Sequence, residues 1–380
     1  MQVAMLCPYA EGRPYGGVSG VAYDTVEGIK QLHSRLEKDG VYIHILSLHG
    51  SSYRMDTRSY TEYPNIYTHY FKPVYPFSLF GDFQYMKYLR KMGSIDLLHS
   101  HNINGACCGV LMSYPTIFTL HGIPWKEKLY YPQKMLKFKS YNETLRLEKI
   151  YGYLKDFIAI SPYVYDEIRS QISNDTQKLT LIENPVSDIF FNTRKMDHGN
   201  LILCPGVIAS RKNQIAAVHA LNRLKESDVD VHLVFTGSVG DSNYFKKLVD
   251  TIRYYGLQQK VSITGQISFE RLIEYYSEAS IILLPSKQET APMAVSEGMA
   301  TGTPVIASNI AGIPYMINEG KTGFIVNPDD FNQIADRIML LLDDKDLCID
   351  MGRTAKKVAY ERWNAKLIAN KLLDLYMSYV

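Results

Sequence analysis

The stretch KQETAPMAVSEGMATGTPVIAS, residues 287–308, follows the apolar run IILLP at 281–285 and itself ends in a second apolar run. A strand-length run, a helical pattern over 292–301, a Gly-Thr-Pro turn and another run make one β–α–β unit, whose strands lie parallel. Pro292 near the first turn is an ordinary N-terminal placement, because an N–H there has no intrahelical partner to lose. The unpaired N–H groups of that turn favour an anion. Glu289 and Glu297 stand eight residues apart. On residue type alone Glu289 could cap the helix and Glu297 could be solvated, or the second carboxylate could hold a diol such as a ribose.

The same alternation extends in both directions. Upstream and downstream in the second half, strand patterns fall at 201–204, 231–236, 261–264, 281–284, 304–307 and 323–326, with helical patterns at 214–225, 243–255 and 270–280. The first half repeats the scheme, with strands at 3–7, 41–48, 97–99, 116–120, 157–160 and 179–182, and helices at 20–38 and 83–91. The pattern predicts an α/β chain of two Rossmann-like domains facing a cleft, residues 1–186 and 201–360. Residues 187–200 lose the period and read as a linker. An amphipathic end, 361–380, is expected to cross back to the first domain. In parallel sheets ligands gather beyond the carboxyl ends of the strands.

Composition narrows the classes. The 380 residues hold 41 Lys and Arg against 39 Asp and Glu, too balanced for a dedicated nucleic-acid binder. No run of about 18 uncharged apolar residues is present, so no membrane-spanning helix is expected. The N-terminus reads as a buried strand rather than a signal peptide. Five cysteines, Cys7, Cys107, Cys108, Cys204 and Cys348, give an odd number without a C-x-x-C spacing, which suits a reducing cytoplasm. The 29 tyrosines outnumber the 14 Phe and 2 Trp together. They fit half-wet surfaces or a compositional habit.

The stretch at 287–308 resembles the E-x7-E signature of family-four retaining glycosyltransferases of GT-B fold. Other segments fall in matching order: Tyr15-Gly16-Gly17-Val18, Thr119-Leu120-His121-Gly122, Ile160-Ser161, Glu183-Asn184-Pro185, the basic loop from Gly206 to Arg211, Lys212 and Asn213, and Ala311-Gly312-Ile313-Pro314. The resemblance implies a nucleotide diphosphate sugar donor, with Arg211 and Lys212 facing its phosphates. It further implies Glu297 on the ribose, Glu289 on a sugar hydroxyl or the developing charge, and His121 on the donor sugar near the reacting carbon. Gly16 and Gly17 would let the backbone approach phosphate or sugar. The amides of Ala291, Met293 and Ala294 would recognise the sugar, and the backbone of Gly265 to Ile267 the base.

Two departures stand out. Val207 occupies a position where the family pattern more often has Arg, so Arg211 is expected to substitute. Thr290-Ala291-Pro292-Met293 replaces the commoner G-F-G-L. The implied reaction retains configuration by front-face attack and uses no metal or other cofactor. Asp228-Val229-Asp230 reads as a solvated turn. His99 and His101, an H-x-H pair without a carboxylate, read as strand-end packing. The acceptor, a saccharide or lipid-linked group, is expected against the first domain. There, residues 117–155 carry eight Lys and Arg against three Asp and Glu, interleaved with Trp125, Tyr130, Tyr131, Phe138 and Tyr141. Such a mixture suits peripheral contact at the inner membrane face, or an exposed helical hairpin. A sugar-nucleotide epimerase and a non-catalytic nucleotide-sugar-binding protein stay open beside transfer.

Overall fold

Short apolar runs bounded by turn residues become the strands of two sheets. The computed structural model describes all residues except 11, 15, 49–58, 72–80, 128–129, 131–133, 172–176, 197–198 and 226–228. The chain divides into two units: Met1–Leu129, Gln133–Pro185 and Ala365–Val380 form the first, Tyr130–Pro132 and Val186–Asn364 the second.

The first unit contains β1 (Gln2–Leu6), β2 (Tyr42–Leu48), β3 (Ser59–Tyr63), β4 (Ile66–Phe71), β5 (Leu97–Ser100), β6 (Thr116–Leu120), β7 (Asp156–Ala159) and β8 (Lys178–Leu181). Their order is β3-β4-β2-β1-β5-β6-β7-β8, parallel except for the β3–β4 hairpin. β1, β5, β6 and β7 are buried almost throughout, as expected of parallel strands covered on both faces. The chain leaves β1 towards β2 on one side, and β5 lies on the other. That reversal is a topological switch point, and it puts the turns after β1 and β5 side by side.

The second unit contains β9 (Asn200–Pro205), β10 (Val231–Thr236), β11 (Val261–Ile263), β12 (Ile281–Leu284), β13 (Val305–Ser308) and β14 (Gly323–Val326). All are parallel, in the order β11-β10-β9-β12-β13-β14. Its switch point lies between β9 and β12. Ile202, Cys204, Leu233, Phe235, Leu283 and Ile306 build its core beneath the helix Phe331–Asp343.

Four elements differ from expectation. The hairpin β3–β4 was not anticipated, since its Tyr-, Thr- and His-rich strands lack an aliphatic run. The helix expected over 20–38 breaks into Gly17–Lys30 and His33–Lys38. The presumed linker 187–200 carries a helix, Asp188–Asn192, whose Phe190 and Phe191 are buried. The helix Lys345–Trp363 stops at Asn364, which is extended at ψ 132°, so the returning helix is Ala365–Met377.

This last helix packs on Gly17–Lys30 within the first unit and adds Ile368, Leu372 and Tyr376 to its core. Gly28 makes the approach possible: a Cβ there would run into the Ala365 carbonyl and the Ala369 side chain. Gly28→Val is therefore expected to force the helices apart and destabilise the first unit by about 1–3 kcal/mol. Chemical denaturation followed by circular dichroism measures the loss.

Candidate active site

In the second unit the turns after β9 and β12 meet at one carboxylate. β9 gives way to a loop and a 3₁₀ turn, Ser210–Lys212, followed by Asn213 in the left-handed region at φ 54°. Asparagine tolerates that conformation, and its Nδ2 donates to the Pro328 carbonyl at 2.8 Å. The turn aims Arg211 and Lys212 at the segment after β12. Lys212 Nζ donates to Glu289 Oε1 at 2.6 Å, and Arg211 Nη1 donates to Glu289 Oε2 at 3.2 Å and to the Gln288 carbonyl at 2.8 Å. The Lys287 N–H returns a bond to the Arg211 carbonyl at 2.8 Å, and the Gly312 N–H donates to the Glu289 carbonyl at 2.9 Å. Glu289 thus does not cap the helix.

Burial of Glu289 opposes ionisation, but the charges of Lys212 and Arg211 outweigh it and hold the carboxyl below its ordinary pKa. Two cations against one anion leave one positive charge in excess, at side chains that are 31% and 13% exposed. The helix beyond begins at Met293, with Pro292 as its N-cap. The amides of Met293 and Ala294 therefore lie in the first turn, where no intrahelical acceptor exists. Glu297, one residue beyond the first turn of that helix, is not solvated. It is buried, and its Oε2 accepts from the Tyr276 hydroxyl at 2.8 Å.

Other expected groups fall nearby in the fold. The Gly265 carbonyl accepts from the Gly237 N–H at 2.8 Å and from Thr264 Oγ1 at 3.0 Å, so it serves the turn itself. Ile267 is half-buried beyond it. Two glutamines were not singled out from sequence. Gln214 Oε1 and Gln288 Nε2 are buried without a hydrogen-bond partner among the described residues. Their amides had no motif to mark them.

In the first unit the turn after β1 leads to Gly16 and Gly17, at φ 60° and 63°, and a Cβ at either would meet none of the described residues within 4 Å. Glycine is needed there for the backbone angle rather than for space. Tyr15 lies outside the described residues. Arg13 and Asp24, both buried, form a bidentate pair at 2.8 and 2.9 Å that ties this turn to the helix Gly17–Lys30.

The ends of β5 and β6 assemble a row of imidazoles. His99 Nδ1 pairs with the Tyr376 hydroxyl at 2.6 Å and its Nε2 with Thr119 Oγ1 at 2.7 Å. His101 Nδ1 pairs with His121 Nε2 at 2.9 Å. The H-x-H pair therefore continues to His121, a link that parallel register creates and sequence spacing conceals. No group of three metal-ligating side chains occurs among the described residues.

Of the basic, aromatic segment 117–155, the Tyr131 and Phe138 side chains lie outside the described residues, as does Asp228 of the D-x-D. Lys126 pairs with Glu167 at 3.0 Å, and Arg146 donates to Asn104 Oδ1 at 2.6 Å. No helix among the described residues is long and apolar enough to cross a membrane.

Burial lowers the pKa of His99 to about 3 and that of His121 to about 4, and holds His101 well below its ordinary value. The folded chain therefore binds fewer protons than the unfolded one between pH 6.5 and about 4. Stability conferred by the neutral row is full above pH 6.5 and falls as pH drops, by up to about 1.4 kcal/mol per pH unit for each imidazole. His99→Gln should flatten that acid limb in urea denaturation run from pH 7 to pH 4.5.

Comparison with known proteins follows the same division. Residues 26–188 match the family model described as Glycosyltransferase Family 4, and residues 186–358 the one described as Glycosyl transferases group 1. An uncharacterized glycosyltransferase of Methanocaldococcus jannaschii is 24% identical over 315 residues, covering 80% of this chain and 82% of its own. A GDP-mannose-dependent alpha-(1-6)-phosphatidylinositol monomannoside mannosyltransferase of Mycobacterium tuberculosis is 28% identical over 180 residues, 46% of each chain. Among solved structures, sucrose-phosphate synthase from Thermosynechococcus elongatus superposes with a TM-score of 0.80 at 19% identity, covering 99% of this chain and 98% of its own. At that identity the likeness concerns the fold, which is GT-B.

Proposed function

We propose that the chain, whose residues 26–188 match the family-4 model and residues 186–358 the group-1 model, is a glycosyltransferase that moves a sugar from a nucleotide diphosphate sugar to a saccharide or lipid-linked acceptor, with retention and without a metal. The observation that carries the reading is the Arg211–Glu289–Lys212 cluster at the switch point of the second unit.

As the bond between the anomeric carbon and the phosphate oxygen breaks, the nucleoside diphosphate takes the electron pair and gains negative charge. Fixed cations and N–H dipoles stabilise that charge most when they need not reorganise. Arg211 and Lys212 meet this condition, since Glu289 splints both before any ligand arrives. The first-turn amides of Met293 and Ala294 add a helix N-terminus. Glu297 takes the ribose hydroxyls and Glu289 a hydroxyl of the sugar. His121, neutral at pH 7 because desolvation holds its pKa near 4, serves the donor sugar as a hydrogen-bonding group rather than a charge. Gly16 and Gly17 themselves add no side chain to the turn after β1. In front-face attack the departing phosphate accepts the acceptor's proton, so no protein nucleophile is required.

A polysaccharide or glycolipid pathway is the setting this chemistry suits. Incubation with UDP-glucose or GDP-mannose and a saccharide or polyprenyl-phosphate acceptor, with the product's anomeric coupling read by NMR, tests the reading. Transfer with retained configuration is expected, and Lys212→Ala should lower kcat/KM about 10²- to 10³-fold. Rearrangement of the donor without an acceptor would replace transfer by epimerisation.

A further inference from the structure

The helix Phe269–Glu278 sends one side chain to Glu297. Tyr276 is fully buried, and its hydroxyl donates to Glu297 Oε2 at 2.8 Å. The ring needs no hydroxyl for its packing, because the edge-on contacts around Phe190, at 5.5 Å and 87° to Tyr276 and at 5.8 Å and 71° to Phe269, would serve phenylalanine equally. A buried hydroxyl is costly unless it is bonded, so its value lies in the carboxylate it touches. The terminal torsion of a glutamate is soft and broadly populated. A hydrogen bond to one oxygen fixes the plane of both.

Tyr276 is itself braced. Lys195 Nζ donates to the Tyr276 carbonyl at 3.0 Å, to the Ala279 carbonyl, and to Thr303 Oγ1 at 2.9 Å. Burial lowers the lysine to a pKa of about 8, so it is still a cation at pH 7, placed where a helix C-terminus favours one. Thr303 Oγ1 pairs with Thr301 Oγ1 at 3.1 Å, and the Thr301 N–H donates to the Glu297 carbonyl at 3.0 Å. The bonds form a closed circuit from the Glu297 side chain through Tyr276, Lys195, Thr303 and Thr301 back to the Glu297 backbone.

We propose that Tyr276 is a positioning residue for Glu297: its hydroxyl, held by this circuit, sets the plane in which the carboxylate meets the ribose hydroxyls, and so governs donor affinity rather than bond breaking. The inference rests on the reading of Glu297 as the diol-binding group.

Calorimetric titration with UDP, GDP and ADP, and with the 2′-deoxy form of whichever binds tightest, separates the two. Glu297→Gln should weaken the ribonucleotide at least tenfold and the 2′-deoxy form less. Tyr276→Phe should weaken the ribonucleotide about tenfold, the scale of a bond to a charged group, and narrow the gap to the 2′-deoxy form. The double variant should bind within twofold of Glu297→Gln alone, while Tyr275→Phe on the same helix binds as the parent does. In turnover, Tyr276→Phe should raise the donor KM with kcat changed less than twofold. Unaltered affinity in Tyr276→Phe beside a weakened Glu297→Gln overturns the inference. Unaltered affinity in Glu297→Gln, or no binding of any of the three nucleotides to the parent, overturns the reading beneath it. Should Tyr276→Phe not fold, Lys195→Met leaves the phenol in place. Loss confined to the ribonucleotide supports the circuit, and any other pattern contradicts it.

Discussion

One shared carboxylate organises the second unit's site. Glu289 holds Lys212 through one oxygen and Arg211 through the other, and in doing so it joins the turns that follow two neighbouring strands, β9 and β12. Removing it would leave two like charges side by side with a partly buried vacancy between them. Keeping it leaves a single excess positive charge that costs little to maintain, because both cations are already paired. Under the proposed function the arrangement is a compromise between a preorganised anion site and a stable fold. It occurs at a strand-order reversal because only there do two successive turns open towards each other.

In each unit many polar side chains are buried in pairs. Arg13 sits on Asp24, His99 between Tyr376 and Thr119, and Tyr276 on Glu297. Most buried polar groups have a partner, and tyrosine is well suited to supply one, since its ring fills core volume while the hydroxyl reaches out. Part of the tyrosine excess acquires a purpose in this way. Tyr276 and Tyr376 are core residues with specific acceptors or donors, and Tyr9 stacks on Tyr23 and Tyr70 at 5.9 and 6.4 Å. Tyr63, Tyr67 and Tyr70 belong to the β3–β4 hairpin. Tyr254, 83% exposed, fills no core volume, although its ring meets that of Tyr255 edge-on at 5.1 Å.

Much of the fold was legible because parallel strands covered on both faces must be apolar throughout, and the turns between them are short. The order of IILLP, Glu289, the helix and VIAS needed nothing more. The hairpin escaped because alternating Tyr, Thr and His carry strand propensity without a hydrophobic run; the Pro64-Asn65 turn between them was its one signal. Asp188–Asn192 is too short for a helical period to register. Glu297 was visible as a residue but not as a buried one, since its partner Tyr276 lies 21 positions away and looks like any core tyrosine. The link from His101 to His121 was hidden for the same reason: register between parallel strands joins what the sequence keeps apart.

Under the proposed function the Arg211–Glu289–Lys212 cluster receives a diphosphate. Its most direct measurement is the salt dependence of nucleotide affinity, taken by titrating UDP and GDP, and the matching nucleoside monophosphates, at low and high ionic strength. The diphosphate is expected to bind more tightly than the monophosphate, the difference to shrink as salt screens the charges, and Lys212→Met to remove most of it. Equal affinity for both, unaltered by salt or by that substitution, would rule out a diphosphate at this cluster.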